Sequence, residues 1–126
     1  MFRETKAFSG FAVDDLDAAR TFYGETLGIE AEVLEDGNLL VLHLAGGRDT
    51  LVYHKPDFTP ATYTILNFEV DNVDAAVDEL TGRGVELERY DGFDQDEKGV
   101  ARGDEGPTIA WFTDPAGNIL AVMERS

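Results

Sequence analysis

The sequence contains no cysteine, and this absence excludes several kinds of chemistry. Without thiols the chain can form no disulfide, no thiolate metal site and no cysteine nucleophile. A cysteine-free composition is also compatible with a reducing compartment, so we expect a cytoplasmic protein. Long apolar runs are missing too, and the charged first residues are followed by none. The sequence therefore predicts neither a transmembrane helix nor a signal peptide.

Basic residues are scarce: 10 Lys and Arg stand against 26 Asp and Glu, which gives a formal charge of −16. Nucleic acids and anionic membranes are bound through basic patches, so we expect neither as a partner. The simplest interpretation of the charge is a self-repelling surface that keeps the protein in solution. The alternative is that the negative field attracts a cationic ligand.

One segment of the chain is repeated. Residues 11–19 and 68–76 are identical at six of nine positions, at a constant offset of 57. In each copy a helical pattern follows and stops at a glycine, Gly28 in the first and Gly84 in the second. The repeat predicts two copies of one supersecondary unit in a single domain. We expect module one at 1–56, a linker at 57–61 and module two at 62–126.

Each copy is predicted to contain a strand, a helix and three further strands, which makes an α+β fold of two tandem βαβββ modules. The helices are predicted to begin at the caps Asp14 and Asp71. The segment 92–106 is long, acidic and glycine-rich, and we interpret it as a mobile flap. The predicted strands are 6–13, 31–36, 38–45 and 49–55, then 62–70, 85–91, 107–113 and 118–124.

These segments resemble the vicinal oxygen chelate superfamily, which includes glyoxalases, bleomycin resistance proteins and extradiol dioxygenases. Residues 13–19, with Phe22-Tyr23 and 27–29, resemble its first-module signature, and residues 114–118 resemble its last hairpin. The resemblance covers nearly the whole chain. It implies that each module is a curved mixed sheet with one helix, that the sheets form a shared cavity within a chain or across a dimer, and that the protein is a homodimer.

The resemblance also implies four metal-ligand positions, one on each of four strands. In this sequence they fall on Phe8, Leu51, Ile65 and Ala121, with Leu51 placed to within one residue. A divalent metal of the family's kind needs oxygen or imidazole ligands, and these four side chains offer none. We therefore expect no metal, no other cofactor and no catalytic residue carried over from the family.

The two histidines lie on neighbouring predicted strands around Gly46-Gly47. Two registers are open: if Ala45 pairs with Asp49, His43 enters the cavity, and if Ala45 pairs with Arg48, it points away. His54 is predicted to face outward in either case.

The acidic segment nearly matches a calcium-binding loop. Asp94 and Asp96 stand at ligand positions, Gly99 at position six and Glu105 at position twelve. Two further ligand positions hold Lys98 and Arg102, and no helices flank the segment. We therefore expect a solvated acidic loop and no bound cation.

Two functions are compatible with these features. The first is a metal-independent small-molecule-binding protein that sequesters a ligand in a mostly apolar cavity. Since residues two apart on a strand point to the same face, the residues two positions from the implied metal-ligand positions are also predicted to face the cavity. The second is a lyase, isomerase or dioxygenase that uses an unplaced metal or none. Trp111 is either a core residue or the aromatic wall of the pocket. The predicted ligand-binding residues are Phe8, Gly10, Leu51, Tyr53, Ile65, Asn67, Trp111, Ala121 and Met123.

Overall fold

The structure is a computed structural model that describes residues 1–103 and 106–125, without the side chain of Glu35. The chain divides into two compact units between Pro60 and Ala61. In the described residues no helix is both long and apolar enough to cross a membrane.

The first unit contains a four-stranded sheet and one helix. Its strands are β1 (Ser9–Val13), β2 (Glu30–Leu34), β3 (Leu39–Leu44) and β4 (Arg48–His54), in the order β1-β4-β3-β2. Strands β1 and β4 are parallel, and the other pairs are antiparallel. The helix α1 (Leu16–Arg20) continues directly into a π-helical segment, Thr21–Thr26.

The second unit has the same topology. Its strands are β5 (Thr64–Val70), β6 (Leu87–Glu88), β7 (Ile109–Thr113) and β8 (Ile119–Glu124), in the order β5-β8-β7-β6, and its helix is α2 (Val73–Gly82). Again the first and last strands are parallel. The α+β fold of two tandem βαβββ modules is therefore confirmed.

Both helices begin one residue later than the sequence predicts. The N-caps are Asp15 and Asn72, whose side chains accept the backbone N–H three residues ahead at 3.1 and 2.9 Å. Asp14 and Asp71 precede these caps, so the predicted caps were wrong by one position in each copy. The equal error follows from the repeat, because the two acidic residues lie at equivalent positions.

The π-helical segment Thr21–Thr26 accommodates one extra residue in module one. The repeat offset is 57 at the start of the two helices, but Gly28 and Gly84, which follow them, are only 56 apart. The additional residue widens the helix, because the Leu27 N–H donates to the Phe22 carbonyl, five residues back, at 2.9 Å. Such insertions are the usual origin of π-helical turns inside α-helices.

The core of each unit lies between the helix and one face of its sheet. In module one, Ala19 and Tyr23 are buried with alternate residues of the strands. In module two, Val73, Val77 and Leu80 of α2 play the same role. Since side chains alternate along a strand, each sheet presents its remaining residues on the opposite face. The buried sheet residues on the helix side are Phe11, Val13, Leu40, Leu42, Val52, Ala110, Phe112, Leu120 and Val122.

All strands except β4 are shorter than predicted; in particular, β1 spans Ser9–Val13, β5 begins at Thr64, and β6 contains only Leu87 and Glu88. After β6 the chain leaves the sheet and returns to it at Ala101, which forms a bridge to Ile109 at the start of β7. The predicted long strand at 85–91 is therefore interrupted, and the edge of β7 is paired by two separate pieces of chain.

Candidate functional site

Three of the predicted ligand-binding residues of module one lie on one face of its sheet. Gly10 pairs with Leu51, which in turn pairs with Val41, and Tyr53 lies two residues further along β4. This face is opposite to α1. Gly10 allows β1 to approach β4, because an added Cβ would lie 3.1 Å from the Leu51 carbonyl oxygen. Phe8 precedes β1 by one residue, so the sheet does not fix its direction.

We call this face of sheet one the open face, and it is apolar and accessible. Leu34, Leu39 and Tyr53 form one row across three strands. Tyr53 is 39% exposed and Leu34 37%. Large apolar side chains that are exposed together on one face commonly mark a binding surface.

Four predicted residues of module two also share a face. Asn67 pairs with Ala121, Ala121 pairs with Trp111, and Met123 follows Ala121 on the same side of β8. Ile65 behaves differently, because the register shifts between Thr64 and Leu66. It is the extra residue of a β-bulge, so the alternation that predicted its direction does not apply.

The face of sheet two is covered by residues 90–101, which we call the covering segment. Ala101 forms a buried cluster with Trp111 and Ala121, against which Tyr90 packs. The Trp111 ring lies 5.6 Å from that of Tyr90 and 4.8 Å from that of Phe93. Trp111 is therefore only 8% exposed and Ala121 is fully buried within the second unit.

Ion pairs connect the covering segment and its continuation to α2. Arg102 lies 2.6 Å from Asp74 of the helix and 3.0 Å from Asp96, and Lys98 lies 3.0 Å from Asp78. The hydrogen bond from Arg102 holds the pKa of Asp74 below its ordinary value. We call these contacts the latch. The segment expected to be a mobile flap is thus joined to the helix through charged side chains.

The residues that resemble a calcium loop are used differently. The Asp96 carboxylate accepts the backbone N–H groups of Lys98 and Val100, both at 2.9 Å. Together with Arg102, these donors lower the pKa of Asp96. Asp94 is exposed, and Glu105 lies outside the described residues.

His43 lies on the open face, between two carboxylates. Its Nδ1 is 2.8 Å from Asp49 and its Nε2 is 2.9 Å from Glu32. Glu32, and then Asp49, raise the pKa of His43 above its ordinary value, because both carboxylates stabilise the imidazolium.

The strand register that places His43 is neither of the two expected. Leu44 pairs with Arg48, which leaves Ala45, Gly46 and Gly47 as a three-residue turn. Both glycines have positive φ, 86° and 71°, as such turns require. His54 pairs with Val13 of β1 and lies on the opposite face from Leu51, as predicted.

The side chains at the implied metal-ligand positions do not fit a metal. Phe8, Leu51, Ile65 and Ala121 carry no nitrogen or oxygen donor, and in the part of the chain that the structure describes no three His, Asp or Glu groups are placed to hold one ion. The carboxylates of Glu32 and Asp49 lie at opposite nitrogens of the imidazole, so this cluster does not converge on a common point. Sequence reasoning missed Glu32 and Asp49. The alternation of β2 and the true hairpin register would have identified them.

Comparison with known proteins gives a consistent result at the level of the family. Residues 7–122 match the family model described as Glyoxalase/Bleomycin resistance protein/Dioxygenase superfamily. No curated protein matches the sequence.

Several solved structures share the fold over the whole chain. TnmS3, an antibiotic binding protein from Streptomyces sp. CB03234, is 23% identical, with a TM-score of 0.71 and 98% of each chain covered. A lactoylglutathione lyase from Agrobacterium tumefaciens is 25% identical, with a TM-score of 0.65, over 95% of this chain and 93% of that one. A glyoxalase family protein from Enterococcus faecalis is 21% identical, with a TM-score of 0.66, over 98% and 100%.

Proposed function

The chain belongs to the Glyoxalase/Bleomycin resistance protein/Dioxygenase superfamily, and we propose that it is a small-molecule-binding protein that works without a metal. The observation that carries this proposal is the open face of sheet one, where apolar side chains are exposed beside a polar cluster. One solved structure of the same fold is described as an antibiotic binding protein, which is the kind of function we propose here.

The open face offers the two components that small-molecule sites combine. Leu34, Leu51 and Tyr53 supply apolar area, and burying it contributes about 25 cal/mol per Å² before the ordering of the ligand is subtracted. His43 and its two carboxylates supply directed polar contacts, which orient a ligand more than they add affinity.

A neutral, solvatochromic dye such as Nile red tests this site. Replacing Tyr53 by Glu puts a charge on the open face, and we expect dye affinity to fall about tenfold, a change of about 1.4 kcal/mol. Val33, which is 44% exposed on the other face of the same sheet, gives the matched control Val33→Glu. Equal dye binding by the parent and both variants would contradict the proposal.

Metal independence has its own test. Protein dialysed against a chelator should bind the dye as tightly as protein supplied with zinc, nickel, manganese or iron. Stoichiometric metal that survives dialysis, and whose removal abolishes binding, would show that a metal site exists.

A second candidate function, a metal-free enzyme, is favoured by His43. Histidine is the side chain most often used for general acid–base catalysis, and the two carboxylates raise the pKa of His43, which favours its protonated form. Incubation with S-lactoylglutathione, followed by mass spectrometry, separates the candidates. A bound but unchanged compound supports the binding protein, and turnover that is lost in His43→Gln supports the enzyme.

We also propose that the ligand is cationic. Glu30, Glu32 and Asp49 belong to the open face or its edge, whereas Asp96 of the predicted flap is already bound by Arg102. A cationic dye should therefore bind more tightly than a neutral one, with an advantage that shrinks as salt is added. An affinity independent of salt would contradict this.

Two further proposals concern the protein in the cell. We propose a homodimer, since a second copy would cover exposed apolar residues such as Phe2 and Phe8. Sedimentation at the 13.8 kDa mass of one chain at micromolar concentration would contradict it. A cytoplasmic location remains a proposal based on the cysteine-free composition, and cell fractionation tests it.

A further inference from the structure

Phe93 is a large apolar side chain that is poorly buried and yet lies on the tryptophan of module two. It is 55% exposed, and its ring centroid is 4.8 Å from that of Trp111, in a tilted arrangement. A ring that contributes to a core is normally buried on all sides. Phe93 therefore covers Trp111 without belonging to the core beneath it.

The turn that carries Phe93 is weakly held compared with its surroundings. The Phe93 N–H reaches the Tyr90 carbonyl at 3.4 Å, a long hydrogen bond. Gly92 precedes it with a φ of 90°, and a Cβ added there would meet no atom within 4 Å. By contrast, Gln95 is fixed by three hydrogen bonds, from the Tyr90 N–H and to the carbonyls of Glu88 and Gly99. The turn at 91–94 is therefore held by a weaker hydrogen bond than those that fix Gln95.

The residue before this turn, Tyr90, carries a polar atom that needs a partner. The Tyr90 hydroxyl oxygen is buried and has no hydrogen-bond partner among the described residues. Burial raises the pKa of Tyr90, so the hydroxyl stays protonated and can donate. A buried hydroxyl without a partner is destabilising, and a ligand acceptor would satisfy it.

We propose that Phe93 occupies the place of a ligand ring: a flat aromatic group displaces it, stacks on Trp111 and accepts a hydrogen bond from the Tyr90 hydroxyl. This inference rests on the proposed small-molecule function and adds the chemical class of ligand and the residue that competes with it. Trp111 supplies the aromatic surface. Ala101 and Ala121, both small and buried, form one cluster with it.

Quinoline and naphthalene, two rings of the same shape, are the probes, because only quinoline carries a hydrogen-bond acceptor. Trp111 is the single tryptophan of the sequence, so its indole N–H gives one unambiguous NMR signal. We expect quinoline to shift this signal and to bind more tightly than naphthalene. Phe93→Ala should tighten quinoline binding about 2- to 10-fold, the worth of one aromatic pair. Phe2→Ala, which removes another exposed phenylalanine ring, should change nothing.

Tyr90→Phe should make the two probes bind equally, and Trp111→Leu should abolish binding. If Trp111→Leu fails to fold, Phe93→Ala and Tyr90→Phe still decide the matter. An unshifted indole signal, or quinoline affinity that is equal in Phe93→Ala and the parent, would overturn the inference. The variant Tyr53→Glu separates this outcome from failure of the proposed function. This variant should bind Nile red about tenfold more weakly but keep the quinoline-induced shift of the Trp111 signal. A parent protein that binds Nile red but not quinoline refutes only the present inference.

Discussion

The two modules share strand order, helix caps and parallel first and last strands, yet their faces opposite the helix differ. In module one that face exposes Leu34 and Tyr53, whereas in module two the equivalent face carries Trp111 and Ala121 under a cover. One topology has therefore produced an exposed apolar face in one copy and a buried cluster in the other.

The difference arises from one connection. Between β2 and β3 the chain needs only residues 35–38, but between β6 and β7 it runs through residues 89–108. The longer connection is long enough to fold back over the sheet and to place Tyr90 and Phe93 on Trp111. An insertion at one hairpin can thus cover a sheet face without altering the register of the strands beneath it.

The largest expected effect is the difference in stability between substitutions on the two faces of sheet one. Tyr23 is fully buried on the helix side, next to the Phe11 ring at 5.7 Å, whereas Tyr53 is 39% exposed on the open face. Tyr23→Ala should lower the free energy of unfolding by about 3–5 kcal/mol, as deletion of a buried ring does. The same substitution at Tyr53 should lower it by less than about 1 kcal/mol. Urea denaturation measures both, and similar losses would show that the open face is not open.

A smaller effect tests the equivalence of the two helix starts. Asp15→Ala and Asn72→Ala should each lower the free energy of unfolding by about 1 kcal/mol, because each removes the acceptor for a free helical N–H. Asp14→Ala and Asp71→Ala are the matched controls one residue earlier, and we expect little change. If the control substitutions lower the free energy of unfolding as much as the cap substitutions do, the helices begin at Asp14 and Asp71, as the sequence predicts.

The sequence predicted the architecture well because the repeat and the turn residues are local signals. The order of strands and helices, the hairpin at Gly46-Gly47 and the direction of His54 all follow from patterns within a few residues. The local errors are small, at the helix caps and in the register of His43. A pattern with capping residues at two adjacent positions, Asp14-Asp15 or Asp71-Asn72, does not distinguish which one caps the helix.

The contacts of the long connection could not be predicted from its composition. Its glycines and acidic residues suggested a mobile flap, but the latch depends on Asp74 and Asp78, which lie on α2 and are distant in sequence from Arg102 and Lys98. The β-bulge at Ile65 was hidden for the same reason, because only pairing with β8 reveals it. Non-local pairing therefore sets the limit of the sequence analysis.

Breaking the latch should loosen the covering segment, so that the covered face of module two becomes more accessible, as the open face of module one already is. Arg102→Gln removes the ion pairs to Asp74 and Asp96, and we expect the Ala101 amide, bonded to the Ile109 carbonyl at 2.8 Å, to exchange its hydrogen about 2- to 5-fold faster. Arg125→Gln removes another exposed ion pair, to Asp71, and is the control. The pKa of Asp74 is lowered, so the latch is present above its ordinary pKa and is lost as pH falls through the lowered value. Unchanged exchange in Arg102→Gln would mean that packing on Trp111, the hydrogen bonds of Gln95 and the Lys98–Asp78 ion pair hold the segment without Arg102.

The smallest expected effect is the pH dependence of stability due to His43, whose ring on β3 bonds to Glu32 of β2 and Asp49 of β4. Its two ring nitrogens can donate to Glu32 and Asp49 together only when the imidazole is protonated, and the carboxylates raise its pKa. The stabilisation of the folded state by the His43 cluster is therefore complete below the unfolded pKa of about 6.5, and it is lost as pH rises through the raised folded value.

The comparison that isolates this effect uses both histidines. Between pH 6 and pH 9 the Tm of the parent should fall. The Tm of His43→Gln should fall less, because glutamine does not lose a proton in this range. His54→Gln, on the opposite face of the same strand system, should follow the parent. A His43→Gln protein whose Tm changes with pH as steeply as the parent's would show that the cluster does not join β2, β3 and β4. An NMR titration of the His43 ring would then show whether its pKa is raised at all. Because a folded pKa above the unfolded one requires stability to depend on pH, an unchanged Tm profile should go with an unshifted His43 pKa, and both would then contradict the prediction.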